Sequence, residues 1–192
     1  MSHVSRIDPK PLSAYPWFIR WFLGRQRRVY GAVLAPSWLW GRLPGAFLGM
    51  LVLLSMFQRR SYPVDTALRS LVSIRIAQLN GCRFCVDLNA HNFLKARGEE
   101  SKAKDVAQWR DSELFSARER AALGWAEAVT LTCADIESDA IDRLRNEFSE
   151  DEITALTAWI GFQNMSAKFN AALGAEEHGF CALPGKDHQQ DV

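Results

Sequence analysis

Helix signals recur along this chain at short intervals, and no stretch sustains the two-residue alternation of a half-buried strand. That pattern predicts an all-α fold. Ser116 with Glu119, and Ser149 with Glu152, have the spacing of capping boxes. The first precedes an apolar run from Ala121 to Leu131, and the second opens a long helix toward Leu173 and Gly174. Tyr15 to Arg28 reads as a helix with Trp17, Phe18, Trp21 and Phe22 on one face and four arginines beside them. Gly45 to Gln58 reads as an apolar helix. Pro63 suits the first turn of the next, which runs through Leu68, Leu71, Val72, Ile76 and Leu79. Asn80-Gly81 ends it. A further helix begins around Cys82 and continues to Arg97, with Gly98 as its stop; Glu99 to Trp109 is a short one, and Ser138 opens another through Phe148. About seven or eight helices follow, in a single domain spanning 1–192, a length that buries a core unaided.

Charge narrows the partners. The net charge is +1, so no overall field recruits nucleic acid or an anionic membrane. Pro44 to Phe57 is nearly uncharged but only 14 residues long, shorter than the roughly 18–20 a spanning helix needs. It reads as a core or interface helix, and the aromatic helix before it as one that docks on the domain or on a neighbouring subunit. Seven Trp and eleven Phe are many for this size, and surplus aromatics gather at subunit interfaces. Met1 to Pro11 is polar and lacks a signal-peptide pattern, so the expected compartment is the cytoplasm.

Of the four cysteines, only Cys82 and Cys85 are close in sequence, unlike a secreted disulfide framework. Following directly on Asn80-Gly81, both thiols fall in the opening turn of a helix. Unpaired amides and the helix dipole favour negative charge there, which lowers a thiol's pKa from about 8.5. The spacing of three puts both sulfurs on one face, within reach of a disulfide. A thiolate with a resolving partner can reduce a peroxide or a disulfide. Two structural cysteines, or half of a zinc site completed by His178 and Cys181, are the alternatives; no metal and no cofactor is expected.

The run from Leu68 to Cys85, ending Gln78-Leu79-Asn80-Gly81-Cys82-Arg83-Phe84-Cys85, closely resembles the core of the alkylhydroperoxidase D / carboxymuconolactone decarboxylase-like family. The likeness continues through Asn89 to Gly98, Ala103 to Trp109, Glu119 to Thr130 and Trp159 to Asn164, covering roughly 30–175. An arm and aromatic helix (1–29) precede it and a polar tail (176–192) follows. The resemblance implies an alkylhydroperoxidase D-like helical domain in a homo-oligomer (dimer, trimer or hexamer). It also implies reduction of a hydroperoxide by the dithiol, which a thiol or lipoyl-type reductant recharges. Muconolactone decarboxylases of the family lack the cysteine pair, which argues against that activity.

Two positions depart from the peroxidase pattern. Where those members carry a Glu twelve residues before the first cysteine and a His four after the second, this chain has Ser70 and Asn89. The pair forms a proton relay in the family, and neither Ser70 nor Asn89 is a base near pH 7, although both can orient a thiolate or a water. Asn89 lies about 40° from Cys85 around the helix, on the dithiol face, whereas His91 lies about 120° away and should point elsewhere. Asp87 reads as an ordinary first-turn acid. Helix-start geometry favours Cys82 for exposure, and proximity to Asn89 favours Cys85 as the attacking thiol. Cys133 and Cys181 read as packing cysteines, and His3 and His188 as solvent-exposed. Loss of the relay keeps a second function open, a non-catalytic oligomeric binding protein of the same fold.

Overall fold

The computed structural model describes residues 5–131 and 138–180. Among the described residues are nine α-helices and no strand: α1 (Trp17–Tyr30), α2 (Ala35–Trp40), α3 (Pro44–Phe57), α4 (Thr66–Leu79), α5 (Arg83–Lys95), α6 (Glu100–Asp105), α7 (Ala117–Leu131), α8 (Ser138–Arg145) and α9 (Glu150–Ala172). Eight answer to helices expected from sequence. The ninth, α2, has six residues, too few to display a period. Cys133, Cys181, His3 and His188 lie outside the described residues.

Helix α4 is the centre of the fold, packed against α5, α7 and α9. Leu71, Val72, Ile74 and Ile76 are fully buried there with Leu123 of α7 and Leu156 and Ile160 of α9. Each such aliphatic side chain contributes roughly 1.5–3 kcal/mol by leaving water. Because α4 is enclosed on most sides, even its Arg69, Ser70 and Ser73 are buried. A second cluster joins Ile19 and Leu23 of α1 to Trp40 and Phe47, and Trp40 stacks on Phe169 of α9 with ring centroids 4.0 Å apart.

Both expected capping boxes form. The Ser116 N–H donates to Glu119 Oε2 at 2.8 Å and the Glu119 N–H returns to Ser116 Oγ at 3.2 Å; Ser149 and Glu152 repeat the exchange. Other boundaries move. Helix α4 starts at Thr66, after Pro63, because the Asp65 carboxylate accepts the Leu68 N–H at 2.9 Å, a cap that proline cannot supply. Helix α5 ends at Lys95, with Arg97 at φ 66°. Gly98 closes the turn because a Cβ there would meet the Phe93 ring at 2.4 Å.

The aromatic face of α1 is divided between the domain and the surface. Ile19, Leu23 and Gln26 form its buried side, Phe18 and Phe22 are half-buried, and Trp17 and Trp21 are 74% and 65% exposed. Ile19 lies about 160–200° around the helix from both tryptophans, and only one side can meet α2 and α3. Helix α3 is not a core helix either. It buries only Phe47 and Phe57, leaving Leu48, Val52, Leu53 and Met56 exposed. No described helix is long and apolar enough to cross a membrane.

Candidate dithiol site

A glycine corner builds the site. At the end of α4 the Cys82 N–H donates to Ala77 O at 2.9 Å and the Gly81 N–H to Gln78 O at 3.1 Å, the paired bonds of a Schellman motif. Gly81 has φ 65°, in the left-handed region that favours glycine. The turn delivers Cys82 as the N-cap of α5, where its Sγ accepts the Cys85 N–H at 3.2 Å. The two sulfurs are bonded to each other, with Cα atoms 5.2 Å apart. Both cysteines therefore share the opening turn and one face, as the spacing requires.

Their surroundings differ. Cys82 is 1% exposed and Cys85 6%, and it is Cys85 that lines a cavity of about 880 Å³ between α1, α3, α4, α5 and α9. The expectation that the helix start exposes Cys82 is thus corrected. Leu34, Ala35 and Leu39, in and before the short α2, share an apolar cluster with Cys82, Phe84 and Ala167. A capping residue is exposed only if nothing packs over the cap, and here α2 does.

Ser70 and Asn89, at the altered relay positions, line the same cavity as Cys85. The Asn89 Nδ2 donates to the Cys85 carbonyl at 2.8 Å, so its amide braces the helix backbone. Asn170 of α9 was not signalled by the sequence. It is 2% exposed, and its Nδ2 donates to Cys85 Sγ at 3.4 Å, while its Oδ1 is buried with no hydrogen-bond partner among the described residues. A donor held at a sulfur stabilises the thiolate over the thiol. The only sequence hint was an amide deep inside an apolar helix, and its partner stands 85 residues away.

Two neighbours take other roles. His91 turns away from the cavity, its ring 6.0 Å from Phe180. Asp87 is corrected: it is a buried anchor, whose Oδ2 accepts the N–H groups of His178 at 3.1 Å and Phe180 at 2.9 Å. It thereby fastens the segment after α9 across α5. His178 meets the Phe84 ring edge-on at 5.9 Å. Burial pushes its imidazole below the ordinary value, against the opposite pull of Asp87 and Glu176. Among the described residues no group of three or more His, Cys, Asp or Glu is placed to hold a metal ion, and the Cys181 of the zinc alternative lies outside them.

Comparison with known proteins agrees with this architecture. The carboxymuconolactone decarboxylase family matches residues 56–128. YnjA of Escherichia coli strain K12, itself uncharacterized, is 41% identical over 176 residues, 92% of this chain and 97% of its own length. A peroxidase-related protein from Ralstonia eutropha JMP134, described as an alkylhydroperoxidase AhpD core, superposes with a TM-score of 0.82 at 18% identity, over 94% of this chain and 96% of its own. A protein of unknown function from Agrobacterium tumefaciens, with a suggested antioxidant role of the AhpD type, gives 0.65 at 30% identity over 70% and 91%.

Proposed function

This chain belongs to the carboxymuconolactone decarboxylase family, with an AhpD-like fold, and from that premise we propose that it is a thiol-dependent oxidoreductase that reduces hydroperoxides through Cys85 and Cys82. The observation that carries this reading is the division of labour at the corner. Cys85 faces the cavity and receives a donor from Asn170, while Cys82 is enclosed behind it within bonding distance.

In the reduced protein the Cys85 thiolate attacks the terminal oxygen of the hydroperoxide. An S–O bond forms, the O–O bond breaks, and the alkoxide leaves as an alcohol after taking up a proton. The Cys82 thiol then displaces hydroxide from the Cys85 sulfenic acid, giving the disulfide and water. An external thiol or lipoyl-type dithiol attacks the reachable Cys85 sulfur and releases Cys82 as thiolate. That leaving group is favoured, since its sulfur already accepts an amide N–H at the helix start. With Ser70 and Asn89 in place of an acid–base relay, activation falls to the helix start and Asn170.

The exposed apolar stripe of α3, together with Trp17 and Trp21, supports assembly as a homo-oligomer. The test of the function is hydroperoxide-dependent oxidation of dihydrolipoamide. Turnover is expected in the native protein and absent in both Cys82→Ser and Cys85→Ser. Equal turnover in the native protein and the two variants removes the dithiol from the reaction, and none in the native protein leaves the non-catalytic binding role.

A further inference from the structure

The cavity in front of Cys85 carries a charge pattern that reduction of a small peroxide does not need. Among the described residues its ionisable walls include three cations, Arg25, Arg69 and Lys95, and no Asp or Glu. Arg25 and Lys95 are exposed at its rim. Arg69 is inside: it is 5% exposed, with its guanidinium 4.9 Å from the Tyr62 ring centroid and 5.2 Å from that of Trp159. Its hydrogen bonds go to neutral acceptors, namely Nε to Asp65 O at 3.4 Å, Nη1 to Phe57 O, and Nη2 to Thr66 Oγ1 at 3.1 Å.

A guanidinium has five N–H donors. Among the described residues three are used, which leaves one on each terminal nitrogen. Buried arginines are ordinarily matched by a carboxylate, since an uncompensated buried charge is costly; among the described residues this one forms no ion pair. Burial pushes it below its usual value, and the opposing pull of Tyr62 and Asp65 does not restore it. A cleft of one sign of charge between apolar walls also focuses its field on whatever enters.

The cavity is elongated, and the rest of its described lining mixes apolar side chains such as Phe22, Phe47 and Leu88 with uncharged polar ones such as Gln26, Gln58 and Asn92. Trp159, Phe162, Ser166 and Asn170 of α9 line it in succession, and that span of one helix covers about 16 Å at 1.5 Å per residue. Trp159 stands beside Arg69, and Asn170 beside Cys85. The cation and the sulfur therefore mark opposite ends of one aromatic-walled trough.

We propose that this trough binds an amphipathic organic anion, its carboxylate at Arg69 and its apolar body along the aromatic wall toward Cys85. This rests on the peroxidase reading in one respect, that the bound anion carries the hydroperoxide; it names the substrate class as carboxylate-bearing, lipid-like hydroperoxides and makes Arg69 the residue that selects them. The sulfur chemistry is the balanced sequence given above: the hydroperoxide becomes the alcohol, the dithiol becomes the disulfide and water, and the external dithiol is the reductant.

The test compares kcat/KM for linoleic acid hydroperoxide, its methyl ester and hydrogen peroxide, and in parallel titrates dodecanoate into the reduced protein by calorimetry. We expect the acid to exceed the ester by about tenfold or more, the scale of one charge-assisted hydrogen bond, with a preference that shrinks as salt is raised. Arg69→Gln should bring the ratio of acid to ester near unity. Should that variant not fold, Lys95→Gln on the exposed last turn of α5 should lower the same ratio. Equal consumption of acid and ester overturns the anion site while leaving the peroxidase reading standing, as does a charge effect confined to the KM of the dithiol. If no hydroperoxide is consumed, the peroxidase reading fails; salt-sensitive binding of dodecanoate then supports the anion site, and no binding overturns it as well.

Discussion

Replacing Asn170 probes the activation of Cys85 directly. Its Nδ2 donates to Cys85 Sγ at 3.4 Å from a side chain only 2% exposed, so bulk water cannot easily replace the lost donor. A hydrogen bond to a charged group contributes about 1.5–3 kcal/mol. The sulfur distance is long, so a value at or just under the foot of that range applies, about 1.4 kcal/mol or a factor of ten in the thiolate population. In the reduced protein, Asn170→Ala is therefore expected to slow alkylation of Cys85 by iodoacetamide at pH 7 about tenfold. Asn170→Asp should slow it further, because it sets a like charge beside the thiolate. The assay is the rate of carbamidomethylation at Cys85, followed by mass spectrometry across a range of pH in a Cys82→Ser background. Unchanged rates in both variants, with the fold intact by circular dichroism, would refute the assignment of Asn170 as the donor that activates Cys85.

Three further outcomes follow from other parts of the molecule. At Glu127, burial raises the pKa, but hydrogen bonds from Trp109, Arg75 and Arg110 and the charge of Arg75 outweigh it and hold the carboxyl below its ordinary value. The stability this supplies is complete above the unfolded carboxylate pKa and is lost as pH falls through the folded one. Glu127→Gln should therefore cost about 2 kcal/mol at pH 7, less than a fully enclosed pair because Arg110 is 60% exposed, and the gap in Tm from the native protein should close on acidification below about pH 4. Gly98→Ala drives a Cβ into the Phe93 ring and should destabilise the protein by roughly 1–3 kcal/mol in denaturant titrations. Leu48, Val52 and Met56 recur every four residues on the exposed side of α3, so Val52→Glu should lower the mass measured by light scattering without lowering helicity; an unchanged mass places any assembly contact elsewhere.

What the sequence disclosed was local. Asn80-Gly81 before Cys82 announces a helix end and a helix start because the left-handed turn and the cap are decided within six residues. The two capping boxes are legible for the same reason. Tertiary contact decided the rest. The sequence groups Trp17, Phe18, Trp21 and Phe22 on one face, yet Ile19 and Leu23 form the side against the domain because α2 and α3 lie there. Asp87 reads as an ordinary first-turn acid until the segment after α9 places two backbone amides on it. Asn170 and Arg69 owe their significance to a cavity formed between distant helices, and no spacing rule reaches across 85 residues. Even the ranking of the two cysteines depended on α2, which is too short to read.

The division of labour between the sulfurs can be tested by trapping. Reduced Cys82→Ser and Cys85→Ser proteins are each treated with one equivalent of hydroperoxide in the presence of dimedone, and the adducts are located by mass spectrometry. Trapped sulfenate at Cys85 in the first variant and none at Cys82 in the second is the expected result. An adduct at Cys82, or none in either protein, contradicts the account.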